Sequence, residues 1–265
     1  MLVELFRYLT TPCPPALRDM GYLKEVIGLA ARHQRCRDAW GPHLESSRAL
    51  ISEAARSCAS RRRAVVLGSG GLYDIPLDDL SDLFDEVVLV DVLHLPVVRR
   101  AVAGYGNVTL LEHDIACVIE PMYRQVKEAT PLPLPTPDLP IDGADLVISA
   151  NVVSQLSVIP LEYAGRAGLH SAAGLSVLAK TLIERHLAAL VEFKGVVCLI
   201  SEVEHQTLEG GEIIARHDPL RGVPLPKQLG LYRRSWEWDF APRPERHKLH
   251  DHRYLIEGFV RQAAL

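Results

Sequence analysis

The chain has 265 residues, 48% of them hydrophobic and 23% charged, with a net charge of −4 and a sequence pI near 6.3. That balance is ordinary for a globular protein large enough to bury a core without covalent staples, and its acidity disfavours a nucleic-acid partner. The five cysteines, Cys13, Cys36, Cys58, Cys117 and Cys198, are odd in number and form no C-x-x-C pair, so they read as reduced apolar residues of a cytoplasmic protein rather than as a disulfide framework or zinc site.

The N-terminal stretch has no basic start and carries Glu4 in its apolar run, so it does not read as a signal peptide. No apolar run is long enough to cross a bilayer. Residues 15–59 carry apolar residues at helical steps (Leu17, Met20, Leu23, Ile27, Ala30), with a break expected at Gly41-Pro42 and a second helix after it. From residue 63 the pattern alternates between short apolar strands and helical segments. Strands are expected at "RAVVLG", "EVVLVDV", "NVTLLEHDI", "ADLVISANV" and "GVVCLISEVEH". Helices are expected at 76–84, 95–103, after Cys117 and at 171–193. "SWEWDF" and "YLIEGFV" add two strands with no helix between them, which suggests an antiparallel edge hairpin. The proline-rich stretch 131–143 reads as an extended surface loop, and 160–176 as a long loop after the fourth strand. The fold expected is α/β, a Rossmann-like mostly parallel sheet with helices on both faces. Residues 1–60 would form an N-terminal helical cap and 61–265 a ligand-binding domain, the two making one compact unit.

In an open parallel sheet ligands bind beyond the carboxyl ends of the strands. The first strand ends in Gly68, Ser69, Gly70 and Gly71, followed by Asp74; the second ends at Asp91, the third at His113 and Asp114, and the fourth at Asn151, Ser154 and Gln155. The fifth carries Glu202, Glu204 and His205. Asp91 lies where an acid can accept from ribose hydroxyls, with a helix N-cap as its alternative reading. A dinucleotide fingerprint fails at its third glycine, which is Tyr73. A diphosphate would also meet Asp74, and like charges at about 4–5 Å repel by roughly 3–4 kcal/mol at an effective dielectric of about 20. A cationic nucleoside removes the conflict.

The order "VVLGSGG", Asp91, "LLEHDI", "DLVISANVVSQL" resembles that of class I S-adenosylmethionine-dependent methyltransferases over residues of about 60–205. The resemblance implies a seven-stranded sheet with an antiparallel last strand and S-adenosylmethionine as cofactor. Gly68, Ser69, Gly70, Gly71 and Asp74 would surround the amino-acid and sugar parts. Asp91 would hold the ribose, Asp114 and Ile115 the adenine, and Asn151 would lie near the methyl group. The acceptor expected is a small molecule; no metal is implied, and the oligomeric state is open. The family's usual acid two positions before the first glycine is Val66 here, which keeps open a non-catalytic binding protein, with a nicotinamide-dependent oxidoreductase as a third reading. His170, Tyr163 and His205 are the catalytic candidates, beside Glu202, Glu204 and His43. Trp40 and His43 could cover the acceptor pocket or simply anchor the core. "RPERHKLHDH" (243–252) reads as an edge-strand approach more readily than as a metal site, and Arg61–Arg63 as a solvated strand entry.

Overall fold

The computed structural model describes residues 2–128, 136–229 and 232–263. Four helices come first: α1 (Leu2–Thr10), α2 (Pro15–Met20), α3 (Tyr22–Arg35) and α4 (Arg37–Ser57). Then β1 (Arg63–Leu67), α5 (Leu77–Leu83), β2 (Glu86–Asp91), α6 (Pro96–Val102), β3 (Val108–Glu112), α7 (Ile119–Glu128) and β4 (Leu146–Ala150) alternate. They are followed by α8 (Val158–Ala167), α9 (Ala172–Glu192), β5 (Val196–Glu209), β6 (Glu212–His217), β7 (Tyr232–Ala241) and β8 (His250–Arg261). No helix among the described residues is long and apolar enough to cross a membrane.

The sheet runs β3-β2-β1-β4-β5-β8-β7, with β6 paired to the outer part of β5. Strands β1 to β5 are parallel; β8 is antiparallel to both β5 and β7. Strand order reverses between β1 and β4, so their carboxyl ends open the crevice that such sheets use for ligands. Continuous apolar strands are buried on both faces. Val65 and Leu67 of β1 join a core with α2, α3, α7, α8 and α9, while Ala64 and Val66 join one with α4 and α5. Helix α4 thus contributes Leu50, Ile51 and Ala54 to the same core as β1, and packing is continuous across residue 60.

The structure corrects three sequence expectations. The described residues hold eight strands, not seven, because Gly210 and Gly211, both at positive φ, turn β5 back into β6. The segment expected as a loop, 160–176, holds α8. Leu161, Tyr163 and Ala164 form its buried face, and Gly168 in the left-handed region ends it. Helix α4 does not break at Gly41-Pro42. An interior proline costs about 3 kcal/mol, but α4 buries Trp40, His43 and Leu44 around that point, and each large apolar side chain gains about 1.5–3 kcal/mol. The break falls instead at Gly21, at φ 110°, and at Cys36. Of the two readings left open for Trp40 and His43, the contacts favour core anchoring. The Trp40 indole donates to the Phe240 carbonyl (2.9 Å), and His43 Nδ1 accepts from Trp236 Nε1 (3.0 Å) and stacks on Trp238. Burial lowers the His43 pKa to about 3, which makes it an acceptor at neutral pH.

Of the proline-rich stretch 131–143, residues 131–135 lie outside the described residues, and 136–143 form no helix or strand. Arg61, Arg62 and Arg63 sit at the amino end of β1 and are engaged there: Arg61 donates to the Arg56 carbonyl, Arg62 binds Asp145, and Arg63 donates to the Asp142 carbonyl.

Candidate functional site

The turn after β1 is held by its own backbone. Gly68 and Ser69 amides both donate to the Val90 carbonyl (3.0 and 3.1 Å), and the Gly70 amide donates to Asp91 Oδ2 (2.7 Å). Three consecutive amides that could cradle a phosphate are therefore spent within the turn. Gly68 is required twice over. Its φ is +80°, and a Cβ there would lie 2.8 Å from Val152 Cβ and 2.9 Å from the Ala150 carbonyl oxygen. Ser69 Oγ meets His94 Nε2 at 3.0 Å in the interior, and burial lowers the His94 pKa to about 4. Gly71 is tied to the turn's exit, where the Tyr73 ring occupies the space of a Cβ.

Carboxylates rim the crevice. Asp91 Oδ1 accepts from the Val92 amide (2.8 Å); burial pushes its pKa above the ordinary carboxylate range, against the pull of neighbouring amides. Asp114 begins α7 by accepting from Ala116, Val118 and Ile119 amides at 3.1, 2.8 and 2.7 Å. Two of those bonds go to Oδ2 and one to Oδ1, so Oδ1 keeps a free lone pair. Ile115 beside it is buried. Asp74 accepts from Asn151 Nδ2 at 2.9 Å, and burial raises its pKa. That bond fixes the Asn151 amide with Oδ1 turned away, and Oδ1 is buried with no partner. Asn151 itself stands at φ +50° at the tip of β4, its amide tied to the Ile200 carbonyl (2.9 Å). Val66, where the resemblance expects an acid, is fully buried in the core.

A second polar group lies next along the edge. Glu202, only 3% exposed, takes three donors on one oxygen: Ser154 Oγ (2.9 Å), Gln155 Nε2 (3.3 Å) and His205 Nε2 (2.8 Å). Strict alternation along β5 would put residues 202 and 205 on opposite faces. A register shift between Glu202 and Glu204 against β8 brings them together. The His205 ring stacks on Tyr254 at 3.7 Å and stands 5.9 Å from the His217 ring. Glu204 points elsewhere, to Arg216 and Gln206.

The other two catalytic candidates sit apart from this group. His170, in the turn between α8 and α9, bonds Gln125 of α7 at 2.7 Å. Tyr163 lies in α8 against Tyr123 and lines an open cleft of about 430 Å³ with Tyr8, Arg18, Met20, Lys24 and Arg166. The histidines at 247–252 gather no metal set; among the described residues no group of three or more His, Cys, Asp and Glu side chains converges. His247 and His250 stack on one another.

Helix α3 runs along this edge. Tyr22, at its start, has its pKa raised well above the usual phenol value, by burial first and then by the Asp114 and Asp91 charges. His33, near its end, stacks on Tyr73 at 3.8 Å, and Arg35 pairs with Glu245 through two bonds of 2.8 and 2.6 Å. Sequence reasoning missed Tyr22, His33 and His94. Nothing local marks them, because they reach the site only through the packing of α3 and the turn after β2.

No family model matches the chain, and no curated protein matches it. Solved structures do. An N-methyltransferase NodS from Bradyrhizobium japonicum in complex with S-adenosyl-L-homocysteine is 10% identical, with 80% of this chain and 85% of that one covered at a TM-score of 0.34. A Burkholderia thailandensis 1,6-didemethyltoxoflavin N1-methyltransferase, with its substrate and S-adenosylhomocysteine bound, is 14% identical over 95% and 92% at 0.38. A DhpI complex with SAM and HEP is 15% identical over 92% and 99% at 0.39. Likenesses of that depth assign neither activity nor acceptor to this chain.

Proposed function

We propose that the chain is an S-adenosylmethionine-dependent methyltransferase acting on a small-molecule acceptor. The observation that carries this reading is the acceptor left open at the crevice: Asn151 Oδ1, buried and unpartnered, beside the Asp74 carboxylate that accepts from the same side chain's Nδ2. An orphaned carbonyl oxygen beside a carboxylate suits an ammonium or sulfonium and repels a phosphate. The spent amides of the Gly68–Gly70 turn support the same choice.

In this reading Gly68, Ser69, Gly70 and Gly71 admit the ligand backbone to backbone, and Asp91 accepts from the ribose hydroxyls. The free Asp114 lone pair takes the adenine amino group, with Ile115 against the ring. Asp74 and Asn151 hold the cationic end. Bound S-adenosylmethionine supplies a methyl group on a sulfonium, already a good leaving group. The protein's work is alignment and exclusion of water, and removal of a proton where the acceptor carries one. His205 fits the last task best of the three candidates. Its Nε2–H is committed to Glu202, which leaves Nδ1 as the basic atom. Tyr163 and His170 belong to the acceptor side. Catalysis despite Val66 follows if Asp74 supplies the missing charge from across the turn.

Calorimetric titration of the full chain with S-adenosylhomocysteine tests the reading. Binding is expected, with Asp91→Asn weakening it at least about tenfold, near 1.4 kcal/mol. No heat with that ligand, together with saturable NADH binding, would refute it.

A further inference from the structure

The cleft that Tyr163 lines has a composition that the reading above does not explain. It lies between the N-terminal helices and the sheet's helical layer. Tyr8 comes from α1, Arg18 and Met20 from α2, Lys24 from α3, and Tyr163 and Arg166 from α8. Its volume, about 430 Å³, is that of a small-molecule site. The uncharged part of the lining is two tyrosine rings, Met20, Gly21, Val126 and Ala167.

Its charge is one-sided. Three cations, Arg18, Lys24 and Arg166, face one acid, Asp19. That acid is already matched, by Lys127 at 3.2 Å and by the Tyr123 hydroxyl at 3.1 Å. Arg18 spends two donors on the Tyr8 and Thr11 carbonyls, and its guanidinium lies 5.0 Å from the Tyr8 ring centre, so it is held in place rather than swinging in solvent. Arg166 gives one long bond, 3.3 Å, to the Met20 carbonyl and keeps its remaining donors. Among the described residues Lys24 has no ion pair, and the Tyr163 hydroxyl has no hydrogen bond within the protein. A surplus of two positive charges beside two tyrosine rings and aliphatic side chains, with a rigid arginine, an uncommitted lysine and a phenol open to solvent, is a receptor for an anion with an apolar body.

We propose that this cleft holds a small amphipathic anion, an aromatic or aliphatic body bearing a carboxylate or another oxyanion, and that this is the chemical class of the methyl acceptor. The second half rests on the methyltransferase reading. The cleft's placement supports it. Gly21 lines the cleft, and the next residue, Tyr22, sits among the charges of Asp91 and Asp114; α8 follows Asn151 by a single turn, Val153–Gln155.

The chain has three methionines; Met20 and Met122 are both buried in the same core, and of these two it is Met20 that lines the cleft. With the full chain labelled at the methionine methyl groups, 2-naphthoate is expected to move the Met20 resonance saturably and leave Met122 in place. The uncharged isostere 2-naphthamide is expected to bind at least tenfold more weakly. Lys24→Glu and Arg166→Glu, both at exposed positions, should each weaken naphthoate at least fivefold. Equal binding of acid and amide, or binding unchanged in both variants, overturns the proposal. S-adenosylhomocysteine titrated into the same samples separates the two readings. If it binds while naphthoate does not, only the cleft assignment falls. If naphthoate binds and it does not, the anion site stands and the acceptor role is overturned.

Discussion

Gly68 shows how much of the crevice is set by single residues. Its φ of +80° and the 2.8 Å approach of Val152 leave no room for a side chain. Gly68→Ala is expected to destabilise the fold by about 1–3 kcal/mol, seen as a lower midpoint in urea, and to abolish S-adenosylhomocysteine binding. Near-normal stability with intact binding would show that the turn tolerates a Cβ. At this scale the sequence was informative where chemistry follows directly from strand ends: Asp91, Asp74 and Asn151 all stand at the crevice. It did not record the meeting of Glu202 and His205, because a register shift against β8 puts on one side what alternation puts on two.

At the scale of elements, β1 and β4 are registered by one residue outside the crevice. Asp145 accepts from the Arg62 amide (2.7 Å), the Arg62 guanidinium (2.7 Å) and Ser60 Oγ (3.0 Å), just before β4 starts. Arg62 beside it lowers its pKa to about 2. An unfolded aspartate titrates near about 3.9. The folded value is the lower one, so the stabilisation is complete above about pH 4 and disappears as pH falls toward 2. Arg62 is largely exposed, so solvent screening limits the effect to about 1 kcal/mol or less. Asp145→Asn should therefore lower unfolding free energy modestly at pH 7 and match the parent near pH 2. A difference that grows on acidification would contradict the assignment. The alternating strands were legible in the sequence, since continuous apolar runs admit few other structures. Helix α8 was not: its glycines imitate a loop, and only burial of Leu161 and Tyr163 makes it a helix.

Across the whole molecule, α3 ties the crevice to the far hairpin. Its 14 residues span about 21 Å, from Tyr22 near Asp91 and Asp114 to the Arg35–Glu245 pair ahead of β8. Arg35 is half exposed, so the pair adds little to global stability. Its effect is expected to be local. Glu245→Gln should speed amide exchange in α1–α3 while exchange in β1 and β4 stays unchanged. Equal acceleration everywhere would mean that α3 does not open separately from the sheet.

The sequence alone determined the class of fold and the polar tips of the strands, because burial on both faces demands apolar runs and glycine turns demand glycine. The tertiary structure alone decided which tips converge, which candidates lie apart, and what stands over the crevice. Those depend on contacts between segments as distant as residues 35 and 245, and no local pattern records a contact made across such a span.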